Sequence, residues 1–301
     1  MGIAPAGSTP GNEWYAIQAA GNLYLQSPIY ELTAAGTTFT PPAVLTLTYN
    51  NLITGPIDSK LRVCRYNTVS QNWVPVARQI VDYGQRRIVA ELDGLSLYGL
   101  FAFRDTTAPE VTILSPEAKE YAHTGTVAIS YQTTDPEVSG YASGVTATRV
   151  YLDGALYTNT TIALSGMVGE HVMKVEAEDA QGNVGSASVT FTVYLAVDVR
   201  IEPEVLKVNP GVLTAFVTFP APYTEAANGI VSATCEGAAY ERLNAGDSSD
   251  KVILKYRRED VEAALTAQGQ TLDTEFVIRG TWTNAVGTYV FQGTDSITRI
   301  E

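Results

Sequence analysis

The strongest constraint on the fold of this chain is the alternation of apolar and polar residues between positions 126 and 194. Apolar side chains recur at every second position in three runs: Val127, Ile129, Tyr131; Met173, Val175, Ala177; and Val189, Phe191, Val193. A period of two places these side chains on one face of a β-strand and leaves the other face to solvent. We therefore expect several strands in this segment, packed on a common core.

Turn-forming sequences separate the strand-like runs and predict a β-sandwich. Asp153-Gly154 suits a tight hairpin, and residues 181–183 (Gln-Gly-Asn) suit a turn that needs a positive φ. We predict strands near residues 110–114, 126–132, 147–152, 155–158, 160–164, 171–178 and 187–194. About seven strands is the number that an immunoglobulin-like (Ig-like) sandwich uses. The segment contains no cysteine, which excludes the disulfide-bonded antibody type.

Short motifs in the same segment resemble the Ig-like repeats of bacterial and archaeal cell-surface proteins. They are residues 105–109 (Asp-Thr-Thr-Ala-Pro), Asp135 with residues 143–145 (Ser-Gly-Val), residues 151–154 (Tyr-Leu-Asp-Gly) and residues 178–183 (Glu-Asp-Ala-Gln-Gly-Asn). The resemblance implies an Ig-like domain over residues 105–195 in a secreted or cell-surface protein.

The flanking segments use similar β-strand sequences. Strand-like runs occupy residues 43–49, 60–66, 73–77 and 87–92, and then 197–203, 213–219, 251–256, 276–279 and 289–291. Residues 259–268 predict a short helix, because acidic residues open it, apolar residues follow at helical spacing and Gly269 ends it. We predict an all-β fold of three tandem β-sandwich domains, 1–104, 105–195 and 196–301, with the short helix in the last.

The first segment resembles the ZU5-like β domains of bacterial surface proteins. The likeness rests on residues 39–42 (Phe-Thr-Pro-Pro), 45–49, 61–66, Trp73 and 95–101. Some relatives of that fold cleave their own chain at a His-Phe-Ser motif, whose positions correspond here to Gly94, Leu95 and Ser96. Without the histidine we expect no self-cleavage and an ordinary strand role for Ser96.

The last segment resembles a module often found at the C-terminus of large secreted microbial proteins. The residues concerned are 201–203 (Ile-Glu-Pro), Gly211 and 293–297 (Gly-Thr-Asp-Ser-Ile). Residues 1–5 lack the basic and apolar regions of a signal peptide, so we expect a mature form or an internal piece of a longer chain.

Charge is distributed unevenly along the chain, whose net charge is −13. Residues 105–195 carry three basic and eleven acidic side chains, whereas residues 1–104 carry seven and six. Phosphate backbones and anionic membrane surfaces require clustered Lys and Arg, so nucleic acid and such surfaces are disfavoured as partners. Cations are the better match. No segment reaches the roughly eighteen apolar residues of a membrane span, so direct membrane insertion is not expected.

Acidic side chains are predicted to meet at one end of the central sandwich. In an antiparallel sandwich the start of the first strand, the second-to-third loop and the sixth-to-seventh loop lie at the same end, which brings together Asp105, Asp135, Glu137 and Asp179. Ca²⁺ takes about six to eight oxygen ligands and could use these carboxylates with the Asn183 amide. Such a site would stiffen the junction with the first domain. The alternative is that Asp135 and Asp179 only cap turns through hydrogen bonds to the backbone.

No motif in the sequence points to catalysis. His123 and His171 are expected to be structural, and Cys64 and Cys235 are expected to be buried free thiols in separate domains. We therefore expect a non-catalytic structural or adhesive component of a cell-surface or secreted assembly, with envelope proteins or further copies of itself as partners. The alternative is an accessory or glycan-binding region of a secreted enzyme, with sugars stacked on Trp14, Tyr15, Tyr24 and Tyr30.

Overall fold

The computed structural model describes residues 2–5, 23–25, 29–33, 43–49, 61–92, 94–103, 105–137, 142–206, 211–269 and 275–299. The fold is all-β and built from several antiparallel sheets, as the sequence predicts. No helix in these ranges is long and apolar enough to cross a membrane. The chain forms two compact units: unit 1 is Met1–Glu110, Thr133–Thr148 and Ala177–Gly185, and unit 2 is Val111–Gln132, Arg149–Glu176 and Ser186–Glu301.

The strands up to residue 103 belong to unit 1. They are β1 (Gly2–Pro5), β2 (Leu23–Leu25), β3 (Tyr30–Thr33), β4 (Ala43–Thr48), β5 (Leu61–Asn67), β6 (Asn72–Pro75), β7 (Gln79–Asp82), β8 (Arg87–Leu92) and β9 (Leu97–Phe103). One sheet has the order β1-β3-β9-β5-β6, with β2 also paired to β9, and a second has the order β4-β8-β7. Alternate side chains of both sheets share one core, which includes Leu45, Leu61, Ile88 and Leu100.

The strands of residues 110–196 are those predicted for the central sandwich, with two differences. They are β10 (Glu110–Ser115), β11 (Glu120–Ala122), β12 (Thr126–Ala128), β13 (Ser130–Thr134), β14 (Val145–Leu152), β15 (Ala155–Tyr157), β16 (Thr161–Ala163), β17 (Gly169–Asp179) and β18 (Val184–Ala196). The run predicted as one strand over 126–132 is two, because β12 pairs with β16 whereas β13 pairs with β10. Strand β11, which pairs in parallel with β18, was not predicted.

The remaining strands lie in unit 2, as does the predicted helix. They are β19 (Asp198–Glu202), β20 (Val205–Leu206), β21 (Val212–Thr218), β22 (Ile230–Cys235), β23 (Ala238–Ala239), β24 (Arg242–Ala245), β25 (Lys251–Arg257), β26 (Glu275–Thr283), β27 (Thr288–Ser296) and β28 (Thr298–Arg299). A 3₁₀ helix spans Thr224–Gly229 and an α-helix spans Arg258–Ala267. The α-helix buries Val261 and Leu265 in the core, at the helical spacing that predicted it.

Unit 2 is held together by one long sheet of order β15-β14-β17-β18-β27-β26-β22-β23. Strand β18 makes this sheet continuous, because Leu195 and Ala196 pair in parallel with Phe291 and Gln292 of β27. Packed on this sheet is a four-stranded sheet of order β19-β21-β25-β24, with a core that includes Phe219, Tyr256 and Phe276 between them. The domain boundaries near residues 104 and 195 stay predictions, and β18 runs unbroken through the second.

Candidate metal centre

Three carboxylates predicted from the sequence converge within unit 1. Asp105 begins the segment that leads into β10, Asp135 directly follows β13, and Asp179 is the last residue of β17. One carboxylate oxygen of each lies within 4.8 Å of the others. Asp105 and Asp179 are 1% and 2% exposed, and Asp135 is partly buried. Strand ends therefore bring together acids that lie 30 and 44 positions apart in the sequence.

Asp105 and Asp179 each order a local turn. Asp105 accepts hydrogen bonds from the backbone N–H groups of Thr107 (2.9 Å) and Ser143 (2.7 Å). Asp179 Oδ1 accepts them from Gln181 (2.8 Å) and Asn183 (2.9 Å). The contacts of Asp179 are of the turn-capping kind that the alternative interpretation expects of Asp135 and Asp179. They leave lone pairs on the same oxygens, since an ionised carboxylate has about four acceptor positions.

Asp135 is satisfied on one side only. Its Oδ2 accepts a 2.5 Å hydrogen bond from the Gly144 N–H. Its Oδ1 is buried and has no hydrogen-bond partner. A buried carboxylate oxygen that accepts nothing loses its hydration without compensation. A cation or a proton between Asp135 and the neighbouring carboxylates would supply what is missing.

The pKa values of Asp105 and Asp135 are shifted in opposite directions. Burial raises the pKa of Asp135, and the charges of Asp105 and Asp179 raise it further, against the opposing Gly144 hydrogen bond. Burial also favours a higher pKa for Asp105, but its hydrogen bonds from Thr107 and Ser143 outweigh burial and lower its pKa. The cluster thus holds one acid whose charge is stabilised and one whose charge is not.

The other two predicted ligands are placed differently. The Asn183 amide nitrogen donates to Asp179 Oδ2 (2.7 Å) and to the Asp105 carbonyl oxygen (3.1 Å), so the amide braces two segments of the cluster. As a metal ligand, Asn183 would have to turn its amide over. Glu137 is exposed and lies outside the group of three converging acids.

The cluster offers oxygen donors, which are the type of ligand that a hard divalent cation binds. Three carboxylates offer up to six oxygens, the kind of ligand that Ca²⁺ prefers. Ser143 and Gly144, which present backbone N–H groups to Asp105 and Asp135, were not predicted to take part in the site. The sequence feature that could have identified these two residues is the Ser-Gly pair. Gly144 has a φ of 82°, which turns the chain back towards Asp135.

The remaining candidate residues have structural contacts. His123 is buried, and its Nδ1 accepts a hydrogen bond from the Ala196 N–H (3.0 Å). His171 Nδ1 lies 2.7 Å from Asp153 Oδ2, and Ser96 Oγ donates to the Tyr66 carbonyl oxygen (2.8 Å). Both cysteines are buried free thiols, as predicted, and burial raises the pKa of each to about 12.

The aromatic residues named as sugar platforms fall mostly beyond the described part of the chain. Trp14 and Tyr15 lie outside the described residues, and Tyr24 is described only as a position in β2. Tyr30 is half-buried and packs against the core of unit 1.

Comparisons with known proteins give structural likenesses at low similarity. No protein-family model matches the chain, and no curated protein matches it. A Ca²⁺-stabilised adhesin with which an Antarctic bacterium binds ice is 16% identical, with 94% of this chain and 83% of that one covered and a TM-score of 0.25. Three N-terminal domains of the highly immunogenic outer capsid protein of bacteriophage RB49 are 13% identical (92% and 95% covered, TM-score 0.29). A 1.5-MDa bacterial ice-binding adhesin is 19% identical (71% and 72% covered, TM-score 0.25). At these TM-scores the likenesses carry no argument about function.

Proposed function

We propose that this chain is a non-catalytic structural or adhesive segment of a secreted or cell-surface assembly, and that unit 1 binds Ca²⁺ through Asp105, Asp135 and Asp179. The ion would tie together three short segments: the one that follows β9, the one that follows β13, and the turn between β17 and β18. A spacer needs such ties where its strands end, because loops have the fewest backbone hydrogen bonds.

One observation carries the calcium site: three carboxylates converge, and one oxygen of Asp135 in this cluster is buried and has no hydrogen-bond partner. Like charges at this distance disfavour the folded state unless something between them compensates. A bound divalent metal ion compensates this repulsion, because it is often the largest local charge in a protein site. The hydrogen bonds from Thr107, Ser143, Gln181 and Asn183 hold the other oxygens in place for such an ion.

The construction of unit 2 supports a mechanical role. Strand β18 runs for 13 residues and joins β17 to β27 in one sheet. An ion pair adds to this connection, since the Arg279 guanidinium donates two hydrogen bonds to the Glu120 carboxylate (2.6 and 2.7 Å). Sheet pairing and a bidentate ion pair both resist separation of the two ends of this unit.

Calcium titration tests the proposal. Calorimetry with Ca²⁺ is expected to give saturable heat, and the melting temperature is expected to rise. At free Ca²⁺ about 100 times above the dissociation constant the stabilisation is about 2.7 kcal/mol. Asp135→Asn removes a ligand and the uncompensated charge together, so it should abolish the heat without lowering the melting temperature of the calcium-free protein.

Glu137→Gln is the matched control, because it removes an exposed carboxylate outside the cluster. It should bind Ca²⁺ as the unaltered protein does. Absence of heat and of thermal stabilisation in the unaltered protein would overturn the calcium site. Mg²⁺ is expected to bind more weakly, because it demands near-octahedral coordination at about 2.0–2.1 Å and loses its bound waters reluctantly.

A further inference from the structure

A three-residue sequence in unit 2 matches the acceptor motif for N-linked glycosylation. Asn159, Thr160 and Thr161 have the form Asn-x-Thr in which x is not proline, and the sequence contains no other Asn-x-Ser or Asn-x-Thr motif. All three residues are exposed, and the motif lies where β15 is connected to β16. Because so short a motif also arises by chance, the local structure has to show that the asparagine is available.

The side chain of Asn159 forms no hydrogen bond in the part of the chain that the structure describes. Asparagines in other turns do form them. Asn67 Oδ1 accepts from the Val69 N–H (2.9 Å), and Asn284 Oδ1 accepts from the Val286 N–H (2.8 Å). Such contacts are the usual structural reason for an asparagine in a turn. The Asn159 amide has no such task, so its nitrogen is available as the atom to which an N-linked sugar is attached.

The backbone on either side of Asn159 is held by hydrogen bonds that do not involve its side chain. The Tyr157 hydroxyl donates to the Thr161 carbonyl oxygen (2.7 Å). The Ile129 N–H donates to the Thr160 carbonyl oxygen (2.8 Å). A glycan on the exposed amide of Asn159 therefore disturbs neither of these contacts.

The two strands that flank the motif are edge strands. Among the described strands, β15 pairs only with β14, and β16 pairs only with β12. Open edges are normally protected by short length, charge, proline or a covering segment, because their unpaired backbone groups can pair with another chain. Both strands are short, at three residues each. However, residues 154–169 contain no charged side chain and no proline, and Leu156 of β15 is 64% exposed. A hydrated glycan beside this edge would supply the protection that charge and proline do not.

We propose that Asn159 carries an N-linked glycan and that this glycan shields the edge strands β15 and β16 from pairing with other chains. The inference rests on the secreted or cell-surface location in the proposed function, because this modification belongs to secreted proteins. In the transfer, the Asn159 amide nitrogen forms a bond to the anomeric carbon of a sugar that a lipid pyrophosphate carries. The bond from that carbon to the pyrophosphate oxygen breaks, the pyrophosphate leaves with the electron pair, and the transferring enzyme takes up one amide proton.

Peptide mapping by mass spectrometry, on the chain isolated from the cells that produce it, tests the modification. Trypsin cleaves after Arg149 and Lys174 and releases residues 150–174 as one peptide, which contains the motif. The mass of this peptide is expected to exceed its sequence mass by that of a glycan, with the increment on Asn159. An unmodified Asn159 in chain recovered from outside the cell would overturn the inference and leave the proposed location standing. Recovery of the chain from the cytosol alone would overturn the location and this inference with it.

Substitutions in the full chain, produced in the same cells, test the assignment to Asn159. Asn159→Gln and Thr161→Ala should each abolish the mass increment, because one removes the acceptor nitrogen and the other removes the hydroxyl of the motif. Thr158→Ala is the matched control, since it alters an exposed threonine next to the motif, and it should retain the increment. An increment that survives Asn159→Gln would place the sugar on another side chain and overturn the N-linked assignment.

Sedimentation velocity of the Asn159→Gln chain tests the shielding of the edge. Without the glycan, association is expected at protein concentrations about tenfold or more below those that the glycosylated chain requires. Adding Leu156→Lys to the Asn159→Gln chain should restore the monomer, because lysine on an edge strand opposes pairing. Equal association of the glycosylated and Asn159→Gln chains would overturn the shielding, as would association that Leu156→Lys leaves intact.

Discussion

Asp135 bears most of the energetic cost of the acidic cluster. Asp105 and Asp179 are more deeply buried, yet backbone N–H groups stabilise both, whereas Asp135 has one oxygen with none. Replacing a half-satisfied buried charge is often neutral or stabilising. A functional demand for the carboxylate is the physical reason to keep it, and cation binding is that demand in our proposal.

His123 should make unit 2 sensitive to mild acid. Its Nδ1 accepts the Ala196 N–H, so the folded state requires the neutral ring, and burial lowers the pKa. A histidine with a lowered folded-state pKa contributes stability that is present above its usual pKa of about 6.5 and is lost as pH falls towards the lower value. We expect the melting temperature to fall across that window.

His123→Gln removes the titration and keeps an acceptor, so the fall in melting temperature below pH about 6.5 should become shallower. His171→Gln serves as the comparison, because that ring pairs with Asp153 and lies at the start of β17. If the melting temperatures of the His123 variant and of the unaltered chain depend on pH in the same way, the titration of His123 does not affect stability, and the hydrogen bond from the Ala196 N–H does not require a neutral imidazole.

At the scale of single elements, the ion pair between β11 and β26 should couple two strands that are distant in sequence. Arg279 donates to both oxygens of Glu120 and also to Gln292 Oε1 (3.0 Å). Its hydrogen bonds are the main cause of the lowered pKa of Glu120. Both side chains are about two-fifths exposed, so water screens the pair. The expected coupling is about 0.5–1 kcal/mol, the upper part of the range for exposed pairs.

A double-mutant cycle of Glu120→Gln and Arg279→Met, read by chemical denaturation, measures this coupling free energy. The control cycle joins Lys119→Met with Arg279→Met, since Lys119 pairs with Glu117 and not with Arg279. Additive effects in the first cycle would mean that the ion pair does not hold β11 on the sheet.

The elements that show a regular hydrophobic period were predicted from the sequence. The elements that form only because a strand distant in sequence pairs with them were not. The alternation of β17 and β18 and the helical spacing of Val261 and Leu265 are local signals, so these elements were predicted. Strand β11 has three residues and no alternation, and it exists because β18 lies beside it. The break at Ile129 has the same origin, since β12 and β13 have different partners.

The candidate site was predictable to a similar degree. Strand order brings Asp105, Asp135 and Asp179 together, and strand order follows from the sandwich pattern. The outward placement of Glu137 and the donor role of the Asn183 amide depend on side-chain orientation in loops, which no periodicity encodes.

At the scale of the whole molecule, the proposed calcium site lies entirely in unit 1, although the three carboxylates that would hold the ion come from three separated segments. Calcium should therefore slow amide hydrogen exchange in residues 105–110, 133–137, 142–148 and 177–185, because an ion that binds only the folded cluster suppresses its local opening. Thr107, Ser143 and Gly144 are the reporters, since their N–H groups bind the carboxylates directly.

The Ile201 amide is the internal reference for that experiment. Its N–H donates to Asp295 Oδ2 (2.6 Å) in unit 2, which is also a carboxylate acceptor but is not part of the cluster. Its exchange should be unchanged by Ca²⁺, and Asp135→Asn should abolish the protection of Thr107, Ser143 and Gly144. Equal slowing at Ile201 would mean that calcium stabilises the chain as one cooperative structure, so that the two compact units open together. If saturating Ca²⁺ slows exchange at none of these amides, the ion does not stabilise the cluster. The carboxylates would then serve only to cap turns.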